Sequence, residues 1–194
     1  YENLILNYTN VAHILEYIAK TCHGQLIYLS SGRVFEGSGI INEKSLKYGI
    51  DLYSVFKIQA EELINFYRLK YNTKSNIFWL FNHESIRRKD DYFSSKILRL
   101  LYDLNTKNSS EIIINSIDFY NNWGHANEYM KIILKLSIDN PNEDFIIADE
   151  IQILARELFQ NIFEESGHDI KKYIKNTSKH ELKKLEISTK KMQH

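Results

Sequence analysis

Short apolar runs alternate with longer helical segments along this chain, and this alternation constrains its fold more than any other feature. Runs flanked by turn residues predict buried strands at residues 25–30, 76–81, 111–115 and 144–148. Apolar residues at the spacing of one helix face predict helices over residues 4–18, 52–70, 92–105, 124–138 and 151–165. We therefore expect an α/β fold with a mostly parallel sheet flanked by helices.

The composition is that of one folded domain, and it argues against several classes of function. The 194 residues are 43% hydrophobic, which is enough for a buried core. A net charge of zero argues against a protein that coats nucleic acid or an anionic membrane. The single cysteine, Cys22, excludes a disulfide framework and a cysteine-based zinc site, and it favours a reducing, cytoplasmic location. We expect no metal site, no membrane span and no nucleic-acid partner.

The glycines limit what the chain can bind. The sequence has no GxGxxG or GxxxxGK[ST] motif, so we predict no phosphate-binding glycine loop within these residues. Gly32, Gly37, Gly39 and Gly49 lie in the long loop of residues 31–50, and a loop of this length in a compact domain is usually functional. Because the chain starts at Tyr1 inside a predicted helix, we expect it to begin partway into a larger protein.

A tyrosine and a lysine four residues apart follow that loop. Tyr53 and Lys57 share one face of a predicted helix, and an ammonium beside a phenol lowers its pKa from about 10 by favouring the phenolate. With a serine hydroxyl nearby, the phenolate can take a proton from a sugar hydroxyl while the carbon gives hydride to a nicotinamide. The alternative is a core tyrosine beside a surface lysine, and Tyr92 with Lys96 repeats the spacing.

Several motifs together resemble a known family. The sequence SSGRVF at residues 30–35, followed by Tyr53 and Lys57, is similar to the Ser/Thr-Tyr-Lys set of extended short-chain dehydrogenases that act on nucleotide sugars. A more specific resemblance, to GDP-mannose 4,6-dehydratases, lies in LFNHESIRR (80–88), WGHA (123–126) and EDFIIA (143–148). The order and the separations match from about Asn10 to about Gly167.

The resemblance implies a fold, a cofactor and partners. It implies a Rossmann-like domain that lacks the N-terminal βαβ unit of the family, with a partial domain over residues 1–168. Residues 169–194 would form a Lys-rich tail, either a solvated or frayed helix or disordered. NADP or NAD would be the cofactor and a GDP-sugar the substrate. The helix that carries Tyr53 would pack against its copy in a homodimer or homotetramer.

The resemblance also assigns roles to single residues. Ser31 would polarise the substrate hydroxyl, Tyr53 would be the base, and Lys57 would lower the pKa of Tyr53 and hold the nicotinamide ribose. The other implied site residues are His83, Arg87 and Arg88 for the cofactor, and Asn82 and Lys96 for the sugar nucleotide. Simpler interpretations stay open, with Asn82 and His83 as loop caps and the charge run of residues 87–89 as a solvated face.

Two departures from the family pattern affect the expected reaction. The family has a Glu two residues after the catalytic Ser or Thr, where it takes the C5 proton for elimination, but here Arg33 stays protonated and cannot act as a base. Glu36 is an alternative base. Asn121 and Asn122 stand where the family usually has Arg-Asp, whose Arg clamps the diphosphate.

These observations lead to one expected activity and to alternatives. The expected activity is that of a GDP-mannose 4,6-dehydratase-like lyase, with NADP-dependent oxidation at C4, elimination of water and hydride return to C6. The alternatives are a nucleotide-sugar 4-epimerase or 4-keto reductase, and a truncated, non-catalytic relic or partner subunit.

Overall fold

The computed structural model describes residues 2–35, 40–108, 112–175 and 184–193. The α-helices are α1 (Glu2–Leu4), α2 (Asn10–Thr21), α3 (Leu52–Tyr71), α4 (Phe93–Asn105), α5 (Ala126–Asp139) and α6 (Ala155–Glu165). A π-helix (Ile5–Thr9) joins α1 to α2. The strands are β1 (Leu26–Ser31), β2 (Ile40–Ile41), β3 (Ser75–Leu80), β4 (His83–Glu84), β5 (Tyr120–Asn121), β6 (Gly124–His125), β7 (Phe145–Ile147), β8 (Ile153–Leu154) and β9 (Glu186–Ile187). Short 3₁₀ helices span Gly32–Val34, Ile170–Tyr173 and Lys190–Gln193.

The largest sheet among the described residues is parallel and has the strand order β1–β3–β7. Ser31 at the end of β1 is opposite Leu80 at the end of β3, and Phe78 is opposite Phe145 of β7. The carboxyl ends of β1 and β3 therefore meet at one edge, where ligands bind in open α/β sheets. The predicted parallel α/β architecture is confirmed.

Helices cover the two faces of this sheet because β3 turns alternate side chains to opposite sides. Ile77 and Trp79 pack into a cluster with α2 and α3, which also contains Leu15 and Ile64. Phe78 packs on the other face with apolar residues of α5 and β7: Tyr129, Ile133, Phe145 and Ile147. A third cluster lies between α4 and α6, with Leu100, Phe159 and Phe163 at its centre.

The long helix α3 starts at a defined residue. The Asp51 carboxylate accepts a hydrogen bond from the Ser54 backbone N–H at 2.8 Å, and the Ser54 hydroxyl accepts one from the Asp51 backbone N–H at 3.1 Å. This reciprocal capping satisfies helix N–H groups that would otherwise have no partner. It fixes the first turn of α3, which carries Tyr53 and is followed one turn later by Lys57.

The predicted strand at residues 111–115 is wrong over the part that the structure describes, which excludes Glu111. Ile114 forms an isolated bridge, accepting from Lys175 N–H at 2.7 Å and donating to Tyr173 O at 2.9 Å. Its side chain is buried in the third cluster, with Ile97 and Ile170. The run is apolar because it covers α4 and α6, and not because it belongs to the sheet.

The described parts of the Lys-rich tail, residues 169–175 and 184–193, do not form the continuous solvated or frayed helix that was one of the two expectations. Ile170 is buried in the third cluster, and β9 pairs in parallel with β2, with Ile187 opposite Ile41. Apolar residues between the lysines anchor these parts of the tail to the body. Lys179 and Lys183 lie outside the described residues. No helix in the described part of the chain is long and apolar enough to cross a membrane.

Candidate active site

The two serines at the end of β1 face opposite sides of the sheet. Ser30 is buried and its hydroxyl donates to the Glu61 carboxylate of α3. Ser31 is half-buried, accepts from the Arg33 backbone N–H at 3.2 Å and forms a side-chain hydrogen bond with Tyr53. Ser31, and not Ser30, is therefore the serine that lies beside the tyrosine.

Tyr53 lies half-buried in the first turn of α3. Burial raises the pKa of its phenol, although the hydrogen bond with Ser31 and the nearby Arg33 guanidinium both act to lower it. The expected lowering of this pKa by Lys57 is not found: Lys57 is not among the groups that shift it, and desolvation is the largest effect on the phenolate. The arrangement therefore brings a serine and a tyrosine hydroxyl together at the carboxyl end of β1.

Lys57 lies one turn further along α3 and is only 9% exposed. Its ammonium donates to the Leu29 carbonyl at 2.7 Å and lies 4.7 Å from the ring centre of Tyr28 and 5.6 Å from that of Tyr53. Burial lowers the pKa of Lys57 to about 8. The alternative of a core tyrosine beside a surface lysine is wrong, because this lysine is inside the protein.

The second tyrosine–lysine pair has a different environment. Tyr92 is exposed, and its ring lies 4.6 Å from the guanidinium carbon of Arg88. Lys96 is exposed on α4, one turn later. This pair matches the spacing of Tyr53 and Lys57 but lacks their burial.

A buried carboxylate lies beneath Lys57, and the sequence analysis missed it. Glu61 is 1% exposed and accepts from Trp79 Nε1 at 2.9 Å. Lys47 Nζ lies 2.8 Å from its other carboxylate oxygen and 4.2 Å from the ring centre of Trp79. The available sequence signal was an acid four residues after Lys57, on the face of α3 that turns toward the core.

Arg33 is tied to the start of α3. Its guanidinium lies 2.7 Å from the carboxylate of Asp51, the residue that caps this helix. Hydrogen bonds from Ser54 and the charge of Arg33 lower the pKa of Asp51. The guanidinium is therefore engaged beside Tyr53, while Glu36, the alternative base, lies outside the described residues.

The two asparagines in place of the expected Arg-Asp have different surroundings. Asn82, which follows β3, donates a side-chain hydrogen bond to Asn121. Asn122 is buried and donates to the Asp149 carbonyl at 2.5 Å. Asn121 is thus beside the candidate substrate residue, whereas Asn122 serves packing.

Basic side chains surround a cavity of about 240 Å³ after β3, lined in part by His83, Arg87 and Arg88. Arg88 donates to the Glu84 carboxylate at 2.8 Å and to the His83 carbonyl. The His83 ring lies 5.3 Å from that of Tyr129. A larger hollow of about 500 Å³, beside the first residues of α5, is also lined by Arg87.

The predicted residues thus fall into two groups. Ser31, Tyr53 and Lys57 form one, and His83, Arg87 and Arg88 form the other. Tyr92 links them, because it lines the cavity of the second group and interacts electrostatically with Tyr53. Lys96 lies on the exposed face of α4 outside both groups. Within the described ranges, no three His, Cys, Asp or Glu side chains are grouped as metal ligands.

Comparison with known sequences identifies the family. A family model described as GDP-mannose 4,6 dehydratase matches residues 4–194. The chain belongs to this family. A GDP-mannose 4,6-dehydratase of Yersinia enterocolitica is 30% identical over 118 residues, which are 61% of this chain and 32% of that protein. The matched segment therefore spans about a third of the relative.

Solved structures show the same fold. The structure of RMD from Pseudomonas aeruginosa complexed with NADPH matches with a TM-score of 0.85 at 17% identity, over 97% of this chain and 65% of that one. The dTDP-glucose 4,6-dehydratase from Bacillus anthracis in complex with NAD matches with a TM-score of 0.79 at 17% identity, over 96% and 60%. These similarities confirm the Rossmann-like epimerase/dehydratase architecture.

Proposed function

We propose that this chain supplies the catalytic part of a nucleotide-sugar-modifying enzyme of the GDP-mannose 4,6-dehydratase type. The observation that carries the proposal is the group formed by Ser31, Tyr53 and the buried Lys57 at the carboxyl end of β1. Tyr53 removes the proton of the C4 hydroxyl, and Ser31 holds the same oxygen by a hydrogen bond. Lys57 supports the negative charge that forms on Tyr53.

NADP or NAD is the cofactor in this proposal, and the residues present fit one end of it. Tyr53 and Lys57 lie at the edge of a parallel sheet where such ligands bind, and they would hold the nicotinamide ribose. When bound, NADP or NAD would supply the hydride-transfer chemistry at the sugar carbon whose hydroxyl Tyr53 and Ser31 hold. His83, Arg87 and Arg88 line a cavity with the positive charge that phosphate groups require. The glycine-rich loop for the pyrophosphate does not occur in this sequence.

The proposed substrate is a GDP-sugar. Asn82 directly precedes the cavity residue His83 and is hydrogen-bonded to Asn121, and both have amide groups able to bind sugar hydroxyls or phosphate oxygens. Lys96 would have to reach the nucleotide from the exposed face of α4. Because the family's Arg-Asp is replaced by asparagines, we expect weaker binding of the diphosphate than an arginine gives, by about 1.5–3 kcal/mol.

Arg33 favours a second candidate reaction. A guanidinium stays protonated and cannot remove the C5 proton, and this one is paired with Asp51 at 2.7 Å. Oxidation and reduction at C4 need only Ser31, Tyr53 and Lys57, so a 4-epimerase or 4-keto reductase is compatible with the site. A non-catalytic partner subunit is the third candidate, since the matched segment covers only part of the relatives.

The proposed assembly is a homodimer or homotetramer in the cytoplasm. Apolar side chains are exposed along α2 and α3: Ile14, Tyr17, Leu52, Phe66, Leu69 and Tyr71. An exposed apolar surface of this kind is typical of a protein interface. A second copy of α3 is the proposed partner, so that two catalytic helices would pack together.

The test is binding and turnover with one matched pair of variants. We expect the chain to bind NADPH and GDP-mannose at micromolar concentrations, measured by calorimetry. With NADP and GDP-mannose, Tyr53→Phe should abolish turnover and only weaken cofactor binding, because it removes the base and one contact to the ribose while Lys57 remains. Tyr102→Phe, at an exposed tyrosine of α4 that lines neither cavity described above, should retain turnover.

Nuclear magnetic resonance of the product separates the candidate reactions. A 4-keto-6-deoxy sugar would identify the dehydratase, and a C4 epimer or a reduced 4-keto sugar would identify the alternatives. Absence of binding by the folded chain would refute catalysis by these residues alone and favour the partner subunit.

A further inference from the structure

Glu61 has an unusual position for an acid. It lies one turn after Lys57 on α3, it is 1% exposed, and its neighbours include the apolar cluster between α3 and β1. A carboxylate is costly to bury unless charges and hydrogen bonds compensate it. Its environment therefore has to supply those partners.

The partners come from three separate segments of the described chain. Ser30 of β1 and Trp79 of β3 both donate to Oε1, the latter at 2.9 Å, and Lys47 lies 2.8 Å from Oε2. Lys47 belongs to the loop between β2 and α3, and its ammonium also lies over the Trp79 ring. The carboxylate is thus held in one orientation between β1, β3 and that loop.

Lys57 needs a compensating charge that its own hydrogen bond does not provide. Its ammonium donates to the Leu29 carbonyl, and the rings facing it are those of Tyr28 on β1 and Tyr53 on α3. Burial disfavours the ammonium, whereas the negative charge of Glu61 favours it. Lys47, the other cation near Glu61, is paired with its Oε2 at 2.8 Å.

We infer that Glu61 is a positioning residue that keeps Lys57 protonated beneath Tyr53, acting through its charge from the next turn of α3. The inference rests on the proposed function for the role of Lys57. Glu61 does not touch the reacting atoms in this scheme. Its hydrogen bonds with Ser30 and Trp79 place the charge, and the charge maintains the ammonium that Tyr53 requires.

The test measures the pKa of Lys57 directly and needs no turnover. The Cε resonance of Lys57 is followed through a pH titration of the chain labelled with ¹³C-lysine, and Lys57→Arg assigns the signal. Glu61→Gln should lower the pKa of Lys57 by about one pH unit, because the favourable charge is lost while burial remains. Glu62→Gln, the exposed neighbour on the same helix, should leave it unchanged.

The direction in which the pKa of Lys57 changes in Glu61→Gln distinguishes an electrostatic role of Glu61 from a purely structural one. Loosening of the core would hydrate Lys57 and raise its pKa toward the ordinary value of 10.5. A rise or no change in folded Glu61→Gln therefore overturns the inference. If that variant does not fold, Glu61→Asp decides: the charge is kept but withdrawn by one methylene, so the pKa of Lys57 should fall, and an unchanged or higher value overturns the inference.

A turnover assay on the same variants keeps the two proposals apart. In an active enzyme, Glu61→Gln should shift the pH profile of kcat with the pKa of Lys57, and Glu61→Asp should restore it in part. If no turnover is found but the pKa of Lys57 falls in Glu61→Gln, the proposed function fails and the electrostatic role of Glu61 stands. If turnover is present and the pKa of Lys57 is unchanged in Glu61→Gln, the proposed function stands and the electrostatic role of Glu61 is refuted.

Discussion

Ser30 and Ser31 are identical neighbouring residues that make different contacts, because successive side chains of a strand point to opposite faces. Ser30 donates into the core and orients Glu61, whereas Ser31 meets Tyr53 at the edge of the sheet. The two serines therefore link the buried charges around Glu61 to the proposed reacting groups across a single peptide unit. A sequence pattern can indicate that a serine ends the strand, and the strand register then decides which one faces the site.

The charge of Lys57 should make stability depend on pH in a defined window. Its pKa is about 8 in the folded protein against an ordinary value of 10.5, so between these values the unfolded chain binds more protons. Stability then rises with pH across this window, and the penalty for burying the ammonium is fully present below about pH 8. We expect the stability of the wild type relative to Lys57→Met to increase across the same window.

Urea denaturation at several pH values checks this expectation. Lys70→Met, which alters an exposed lysine of the same helix, should change stability by the same amount at each pH. A wild-type advantage over Lys57→Met that falls with rising pH would contradict the assigned pKa of Lys57.

The capped start of α3 is the element that brings the site together. Asp51 binds the Ser54 N–H and the Arg33 guanidinium, so one carboxylate holds both the helix and the loop after β1. We expect Asp51→Ala to destabilise the protein by about 0.5–2 kcal/mol through loss of the cap. Arg33→Ala should cost at most about 1 kcal/mol, because the ion pair is largely exposed.

Chemical denaturation of both variants measures this difference. An Arg33→Ala variant that loses as much stability as Asp51→Ala would show that the ion pair, and not the helix cap, carries the stability. Far-ultraviolet circular dichroism should show that both variants retain their helices.

Helices and sheet strands were predicted with small errors because periodic apolar residues determine which face is buried. The predicted start of α3 at residue 52 matches the structure, and Asp51 supplies the cap. The strand prediction for residues 111–115 is wrong because an apolar segment has the same sequence pattern whether it packs on a sheet or on a pair of helices. The ion pair of Lys47 with Glu61 could not be predicted from the sequence, since it joins a loop to a helix and has no periodic sequence pattern.

At the scale of the whole molecule, the exposed apolar surface of α2 and α3 argues for assembly. Leu69 is 90% exposed on α3, near Phe66. We expect Leu69→Lys to weaken the proposed dimer, because a charge would be buried at the interface. Leu46→Lys, which changes an exposed leucine in the loop before α3, should leave the assembly unchanged.

Sedimentation equilibrium of the two variants checks the assembly. Equal dimerisation of Leu69→Lys and the wild type would place the interface elsewhere. The sequence could predict that α3 packs against a copy only through the family resemblance, because a helix that covers a core and a helix that covers a partner show the same apolar spacing.

The pairing of β2 with β9 has a consequence for how the protein acquires its site. Ile41 is opposite Ile187, and Ser188 N–H donates to the Ile41 carbonyl at 2.9 Å, so this contact joins parts of the chain that are far apart in sequence. Contacts of such separation form late, because the closure of a long loop is entropically costly. During synthesis, the strand that pairs with β2 among the described residues, β9, is not available until residue 187 has left the ribosome. The segment that carries Lys47 directly follows β2, so the charge arrangement around Glu61 would be completed among the last steps of folding.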